Sequence, residues 1–260
     1  MPSTPVYAFP YPVSTDPADV PADMQRLAAQ VETTVGALNA AGPYLSRPTA
    51  ASAKAGGLYF ATDTLGTFRS TGSAWVLIGQ GAPLITNAVM NAAPFTSPYD
   101  GQEVNLQVDA ANGVNWRFRY NAASASAYKW EFVGGSELVV VVGGGESTTG
   151  GVGSYVNLAT VGPSIVVPRA GDYLAFAAAS MQSTTAQLYL QIGLGVGDFS
   201  SAPITFICGA APNNWANVSG MALMGAMGSG AEIRMKYLQQ AAGTMVAQNR
   251  WLFVHPRRVS

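Results

Sequence analysis

Charge is what this sequence has least of. Only 10% of its 260 residues are Asp, Glu, Lys or Arg, against about 25% in an ordinary soluble domain. The 13 basic and 14 acidic residues leave a net charge of −1. This balance excludes a basic nucleic-acid binder and a polybasic membrane-surface protein, since both need a surplus of Lys and Arg. Hydrophobic residues make up 48% of the chain, so it has enough apolar material to build a core.

Cysteine and histidine are nearly absent. Cys208 and His255 are the single representatives of their types, which excludes an intrachain disulfide and a zinc site of several thiolates. Neither lies in a catalytic motif, so we interpret Cys208 as a small core residue and His255 as a surface residue. We expect no metal and no cofactor.

Paired carboxylates are also missing. A glycan depolymerase needs two of them about 5–9.5 Å apart across a groove. The acids of the C-terminal region include Asp172 and Asp198, which lie in turn signals, and Glu232, which lies on a polar strand face. We therefore expect no enzyme.

The start of the chain lacks the basic and apolar regions of a signal peptide, so we expect assembly in the cytoplasm. Two uncharged runs, Tyr173–Gly197 and Phe199–Ala231, are long enough to span a membrane. Polar residues, Gly and Pro interrupt both runs at short intervals, and we therefore predict no membrane helix. Strands buried on both faces explain the lack of charge, and a second subunit is the simplest cover for the outer face.

Residues 1–18 are predicted to form an extended arm. Five prolines forbid a helix there, and the arm cannot bury its aromatic residues by itself. We predict that Tyr7, Phe9 and Tyr11 dock it onto a partner assembly. The alternative is a tail that packs on its own protein.

Residues 19–42 are predicted to form a coiled-coil helix. Asp19 is a suitable N-cap, Pro21 suits the first turn, and Gly42-Pro43 ends the helix. Apolar side chains recur at steps of three, four and seven, with Thr34 filling one place and Val35 beside it. The seam residues are Val20, Met24, Leu27, Val31 and Leu38. A lone helix of this length is marginal in water, so we favour a parallel bundle of three helices over one helix lying on a globular core.

An internal repeat follows, and we predict a three-stranded β-meander for each copy, at 43–82 and 83–136. Both copies read strand, turn, Phe-Arg strand, loop, and a closing strand that begins with Trp75 or Trp130. Asn112-Gly113 predicts a two-residue hairpin in the second copy. Such a sheet is only marginally stable alone and needs to stack against another copy.

Residues 137–260 are predicted to form a jelly-roll-like β-sandwich. A Gly-rich stretch at 143–153 is interpreted as a junction, because no Gly-Lys-[Ser/Thr] follows to make a phosphate loop. Apolar residues alternate with polar ones from Leu188 to Leu194 and from Ile233 to Tyr237. Together with further candidates, including Tyr155–Val161, this gives about eight strands.

Three strings resemble fibre and minor tail proteins of actinobacterial tailed phages. The first is Gly56–Thr64 closing on Trp75, and the second is Trp116–Asn121 closing on Tyr128–Gly135. The third is the ending Asn249–Val259, which is similar to the ends of such proteins that carry a trimeric C1q/TNF-like tip. The resemblance covers roughly residues 45–260 and implies a homotrimeric virion protein. Together with the residue patterns above, it predicts a mainly β chain with a coiled-coil helix, two meanders and a jelly-roll-like tip.

The resemblance also implies a function. The arm would anchor the trimer to other virion proteins of the tail, baseplate, collar or capsid, and the tip would meet the host surface. A capsid-attached head fibre or decoration protein is one alternative, and a pure carbohydrate-binding receptor module is another. For glycan binding, the residues of the predicted receptor loop are Asn213, Asn214 and Trp215, because an aromatic face with amides suits a sugar ring. Trp215 could equally anchor a loop at the trimer edge. Met221, Leu223, Met224 and Met227 are candidates for packing around the three-fold axis.

Overall fold

The computed structural model describes residues 20–185, 188–202 and 204–260, without the side chains of residues 20, 36 and 37. The predicted arm at 1–18 therefore lies outside the described residues. The chain divides into two compact units. The first comprises Met1–Pro83, Ala92–Pro98 and Gln102–Val104, and the second comprises Leu84–Asn91, Tyr99–Gly101 and Asn105–Ser260.

The first unit begins with a helix that leads directly into a sheet. Its elements are α1 Val20–Leu38, β1 Asn39–Gly42, a 3-10 turn at Tyr44–Ser46, β2 Ala55–Ala61, β3 Gly66–Thr71 and β4 Trp75–Gln80. The predicted helix end at residue 42 is wrong, because Asn39–Gly42 pairs in parallel with β2. Strands β2, β3 and β4 form the predicted antiparallel meander.

One face of this meander is covered by the segment that precedes it. The Tyr59 hydroxyl donates to the Pro43 carbonyl over 2.8 Å, and Trp75 Nε1 donates to the Pro48 carbonyl over 2.8 Å. The Arg47 guanidinium lies 4.3 Å from the Phe68 ring centroid and also faces Tyr44 and Trp75. These cation–π contacts hold the covering segment on the sheet, so the first copy does not need a second one to cover this face.

The second unit contains one short helix and thirteen strands among the described residues. The meander part comprises β5 Leu84–Thr86, α2 Asn87–Met90, β6 Glu103–Asp109, β7 Val114–Tyr120 and β8 Trp130–Gly135. The remaining strands are β9 Leu138–Val142, β10 Glu146–Thr148, β11 Ser164–Val166, β12 Gly171–Ser183, β13 Leu188–Val196, β14 Ile204–Ala210, β15 Trp215–Met227, β16 Glu232–Gln239 and β17 Met245–Val259.

The second meander, β6–β8, repeats the first more fully than the sequence predicted. Each copy is preceded by a short strand that pairs in parallel with its first strand, β1 with β2 and β5 with β6. The two-residue hairpin predicted at Asn112-Gly113 is wrong, since β6 ends at Asp109 and β7 begins at Val114. The Asp109 carboxylate accepts hydrogen bonds from the Ala111 and Asn112 amides and from the Asn112 side chain, which holds a four-residue turn.

Strands β9–β17 form a jelly roll. The first jelly-roll sheet has the order β15-β12-β17. On the other edge of β17, strands β10, β9 and β8 pair with it one after another along its length. The pairing of β8 joins the second meander to this sheet. The second jelly-roll sheet has the order β11-β16-β13-β14. From β10 onward, consecutive strands switch between the sheets except at the β13–β14 hairpin, which is the strand order of a jelly roll. This confirms a mainly β chain with a jelly-roll-like sandwich.

The core lies between these two sheets. The predicted alternation is confirmed, because Leu188, Leu190, Ile192 and Leu194 of β13 are buried, as are Ile233, Met235 and Tyr237 of β16. The strand predicted at Tyr155–Val161 is wrong. That segment forms a loop tied to the second sheet by an isolated bridge between Val156 and Tyr237.

Candidate functional site

The outward face of the first jelly-roll sheet is a continuous apolar surface. Phe176 of β12 lies between Phe253 of β17 and Met221 of β15, and Leu174 lies between His255 and Leu223. On the far side of β17, Val139 and Val141 of β9 are opposite Phe253 and Trp251. The exposed members of this face are Val139, Val141, Phe176, Met221, Leu223 and Trp251, at 38–62% of their full accessibility.

Aromatic rings organise the middle of this face. The Trp251 and Phe253 rings stack with centroids 5.8 Å apart and planes 7° from parallel, and Phe176 meets Phe253 edge-on at 5.8 Å. A groove of about 330 Å³ runs beside them and is lined by Glu137, Leu174, Phe176, Met221, Phe253 and His255. Exposed apolar patches rich in aromatic side chains are typical of protein–protein interfaces.

The outward face of the second jelly-roll sheet is different. Lys236 Nζ lies 2.8 Å from Asp198 Oδ1, and Arg234 pairs with Glu232 over 2.6 Å. The hydrogen bond from Lys236 holds the pKa of Asp198 below its usual range. A side chain at Gly195 would collide with the Phe199 ring, because an added Cβ would lie 2.5 Å from it. Part of this sheet, around Gly195 and Lys236, therefore carries ion pairs and a covering loop. The strand segments of the first sheet at 138–142, 174–180, 217–223 and 251–253 contain no charged residue with which to form such ion pairs.

The predicted coiled-coil seam lies on α1 and is largely exposed. Met24, Leu27 and Val31 are 66%, 43% and 39% accessible, and Leu38 is half-buried. The side chain of Val20 is not described. Thr34 was predicted to fill a seam position, but it is buried at 4% accessibility, and α1 contacts β1 and β2 of its own unit. Among the described side chains, the exposed seam therefore runs from Met24 to Val31 and does not include Thr34.

The structure places the three residues of the predicted receptor loop in two different elements, a turn and a strand. Asn213 and Asn214 are exposed in the turn that joins β14 to β15. The backbone N–H of Asn213 donates a hydrogen bond to the Ser183 carbonyl, and Asn213 has a φ of 58°. Trp215 begins β15 opposite Gln182 and is 45% accessible. Its strand position has the same parity as Met221 and Leu223, so its side chain belongs to the apolar face of the first sheet. This placement favours the interpretation of Trp215 as an edge anchor.

Of the four residues predicted to pack around a three-fold axis, two are exposed and two are buried. Met221 and Leu223 lie on the apolar face, whereas Met224 and Met227 are buried at 5% and 4% accessibility. Sequence reasoning missed Val139, Val141 and Phe176. Residues 138–142 are all apolar, so alternation could not reveal which of them point outward. Tyr7, Phe9 and Tyr11 lie outside the described residues.

The described residues contain no group of three or more His, Cys, Asp and Glu side chains that could hold a metal ion. Within the same ranges, no helix is both long and apolar enough to cross a membrane.

The fold and this face define a two-unit β-protein with a jelly roll whose first sheet has an exposed apolar face among the described residues. No family model and no curated protein matches the chain. Among solved structures it is similar to the Eiger TNF of S. frugiperda, with 8% identity and a TM-score of 0.34 over 48% of this chain and 95% of that one. The globular domain of zebrafish complement 1qA protein gives 12% identity and a TM-score of 0.32 over 48% and 99%.

A viral structure is also similar to this chain. The structure of infectious bursal disease virus, Gt strain, matches with 12% identity and a TM-score of 0.34, covering 55% of this chain and 42% of that one. All three scores are below 0.5, so no functional argument is drawn from them, and the jelly-roll assignment rests on the strand order.

Proposed function

We propose that this chain is a structural component of a tailed-phage virion. It forms a homotrimeric fibre or spike of the minor tail protein type, anchored by its N-terminal arm, and its jelly-roll tip faces the host cell surface. The virion placement rests on the resemblance carried by Gly56–Thr64, Trp116–Asn121 and Asn249–Val259. Tyr7, Phe9 and Tyr11 would anchor it to other virion proteins. No catalysis, cofactor, nucleic acid or membrane insertion is part of the proposal.

The observation that carries the proposal is the apolar face of the first jelly-roll sheet. Met221 and Leu223, at 62% and 49% accessibility, cost free energy when they face water. A second copy of the chain is the occupant that best explains this face, because the same chain carries another exposed apolar surface, the α1 seam, that is spaced for association with its own copies. Pairing each copy with the next in the same sense closes a ring.

The helix supports the same assembly. Met24, Leu27 and Val31 are spaced for a coiled coil and remain accessible. Since α1 and β1 are consecutive, with Leu38 followed by Asn39, helices that associate would hold the sheets that follow them close together. Two separate apolar surfaces on one chain therefore favour one oligomer.

The assembly is tested by placing a charge on the face. We expect Met221→Glu to convert the trimer into monomers, because a buried, unpaired carboxylate is strongly unfavourable. The mass in solution, measured by native mass spectrometry and light scattering, reports the change. Val166→Glu is the matched control, since Val166 is 59% accessible but lies on the second sheet. A monomeric unmodified protein, or equal effects of both variants, would overturn the proposal.

The place in the virion needs a second experiment. A label at residue 260, seen by electron microscopy of intact particles, should appear at the outer end of a tail structure. A label on the capsid would favour the head fibre or decoration protein, and no label on any particle would remove the virion role.

A further inference from the structure

We infer that the outward face of strands β13 and β14 binds a neutral saccharide. The inference deepens the proposed host attachment by naming a site, and it relies on the proposed function only for the source of the sugar. The site lies on the second jelly-roll sheet, so it does not overlap the apolar face assigned to the other copies. It also differs from the predicted receptor loop at 213–215.

The register of the two strands builds a patch of three rows. Tyr189 is opposite Gly209, Gln191 is opposite Ile207, and Gly193 is opposite Thr205. Alternate residues of a strand share one face, and three rows span about 13 Å. The patch is therefore long enough for more than one sugar ring.

Tyr189 supplies an open aromatic surface. It is 60% accessible, the highest value among the exposed aromatic side chains that the structure describes. Because its cross-strand neighbour Gly209 has no side chain, the ring can lean across that position, where an added Cβ would lie 3.9 Å from it. Ile207, at 57% accessibility, lies on the same face in the next row, opposite Gln191. An aromatic face of this kind suits the C–H face of a sugar ring.

A buried tyrosine fixes the polar groups beside it. Tyr155 is 7% accessible, and its ring lies where a side chain at Gly193 would be, since an added Cβ would be 2.6 Å away. Its hydroxyl donates to Gln191 Oε1 over 2.9 Å and lies 2.8 Å from Thr205 Oγ1. Burial raises the pKa of Tyr155, more than the hydrogen bond with Thr205 lowers it, so the hydroxyl keeps its proton.

This arrangement leaves a donor and an acceptor in fixed positions. A tyrosine hydroxyl has one proton, and Gln191 receives it, so Thr205 donates its own proton to Tyr155. The two N–H groups of Gln191 and the lone pairs of Thr205 are then available to a ligand. Sugar hydroxyls both donate and accept, and groups held in advance lose little entropy on binding.

The charges explain why the sugar should be neutral. The nearest charged neighbour along the sheet is Lys236, which is opposite Gly193 on the other side of β13. It is 5% accessible and bonded to Asp198 and to the Phe199 carbonyl. Tyr189, Gln191, Thr205 and Ile207 are uncharged, so no formal charge in the patch favours an acidic glycan.

The test uses the full chain on an array of neutral oligosaccharides made of hexoses, N-acetylhexosamines and pentoses, followed by calorimetric titration with the best binder. We expect Tyr189→Ala to weaken binding about tenfold or more, as for aromatic anchors in other interfaces. Tyr155→Phe should weaken it less, because it keeps the ring but frees Gln191. Val166→Ala is the matched control on the same sheet and should change nothing.

Native mass spectrometry of each variant separates this inference from the proposed function. A trimer that binds no array glycan overturns the inference and leaves the assembly intact. Binding that survives Tyr189→Ala overturns it as well. Loss of binding in Trp215→Ala, with Tyr189→Ala unaffected, would place the sugar on the 213–215 turn and overturn it too.

Discussion

At the scale of single residues, one buried ion pair holds the loop before β11. Arg250 of β17 is fully buried, and its guanidinium lies 2.9 Å from Glu146 Oε1. It also donates to the Thr160 carbonyl and faces the Tyr237 ring at 5.9 Å. Burial by itself would raise the pKa of Glu146, but hydrogen bonds from Thr160 and Arg250 outweigh it and keep the pKa below its usual range.

This lowered pKa predicts how stability depends on pH. A carboxyl whose pKa is lower in the folded state stabilises the fold above its unfolded pKa, and the contribution is lost as the pH falls through the folded pKa. We expect Glu146→Gln to lower the free energy of unfolding at pH 7 by about 2 kcal/mol. That is less than the about 3–5 kcal/mol for a fully buried pair, because Glu146 is 20% accessible.

Urea denaturation at several pH values measures this difference. The difference in unfolding free energy between the two proteins should begin to close at about pH 5 and continue to close toward about pH 3, because the ordinary glutamate pKa is about 4.3 and the pKa of Glu146 in the folded protein lies below its usual range. The matched control is Glu32→Gln, which changes an exposed carboxylate on α1. A gap that persists at low pH would show that the ion pair does not contribute in this way.

At the scale of elements, the two jelly-roll sheets approach closely where β14 meets β15. A side chain at Gly220 would collide with the Phe206 ring, because an added Cβ would lie 2.0 Å from two ring atoms. Glycine at this position therefore makes room for an aromatic side chain of the other sheet. The β12–β15 pairing runs on either side of it without interruption.

Replacing that glycine should strain the sandwich. We expect Gly220→Ala to lower the free energy of unfolding by about 1–3 kcal/mol, as for other overpacked sites. Gly225→Ala, on the same strand, should cost less, because its Cβ would meet only an Asp172 oxygen at 3.7 Å. Thermal and urea denaturation at one protein concentration measure both. In a Phe206→Ala background the Gly220→Ala cost should fall, and an unchanged cost would contradict the assigned collision.

Patterns local to one element were predictable, and pairings between elements were not. Alternation correctly identified the buried side of β13 and β16 because one face of each strand meets the core. It could not reveal β1, since four small or polar residues become a strand only when β2 offers them a parallel partner. Alternation also could not identify Tyr189 as part of the inferred saccharide patch. That patch depends on Gly209 in a different strand and on Tyr155 in a loop.

At the scale of the whole molecule, each unit leaves an apolar surface exposed among the described residues: the α1 seam in the first unit, and the outward face of the first jelly-roll sheet in the second. For an oligomer, the midpoint of thermal unfolding rises with protein concentration. The proposed trimer should behave in this way.

Charges on the helix seam separate its part from that of the tip. We expect Leu27→Asp combined with Val31→Asp to lower the thermal midpoint by about 5 °C or more, as for a loss of a few kcal/mol, because the seam would no longer pack. Gln25→Asp with Ala29→Asp adds the same charge on the opposite side of the heptad and should have little effect. Differential scanning calorimetry at two concentrations measures the shift. If both double variants behave alike, the helices do not associate.

Strand β17 also governs the order in which the molecule can be completed. It lies between β12 on one side and β9, β10 and β8 on the other, yet it follows all four of these strands in the chain and is therefore synthesised after them. Until then β9 and β10 lack their ladder partner and β12 has an open edge, so a chain that stops before β17 exposes unpaired strand edges. Chains of that kind should therefore aggregate or be degraded by proteases.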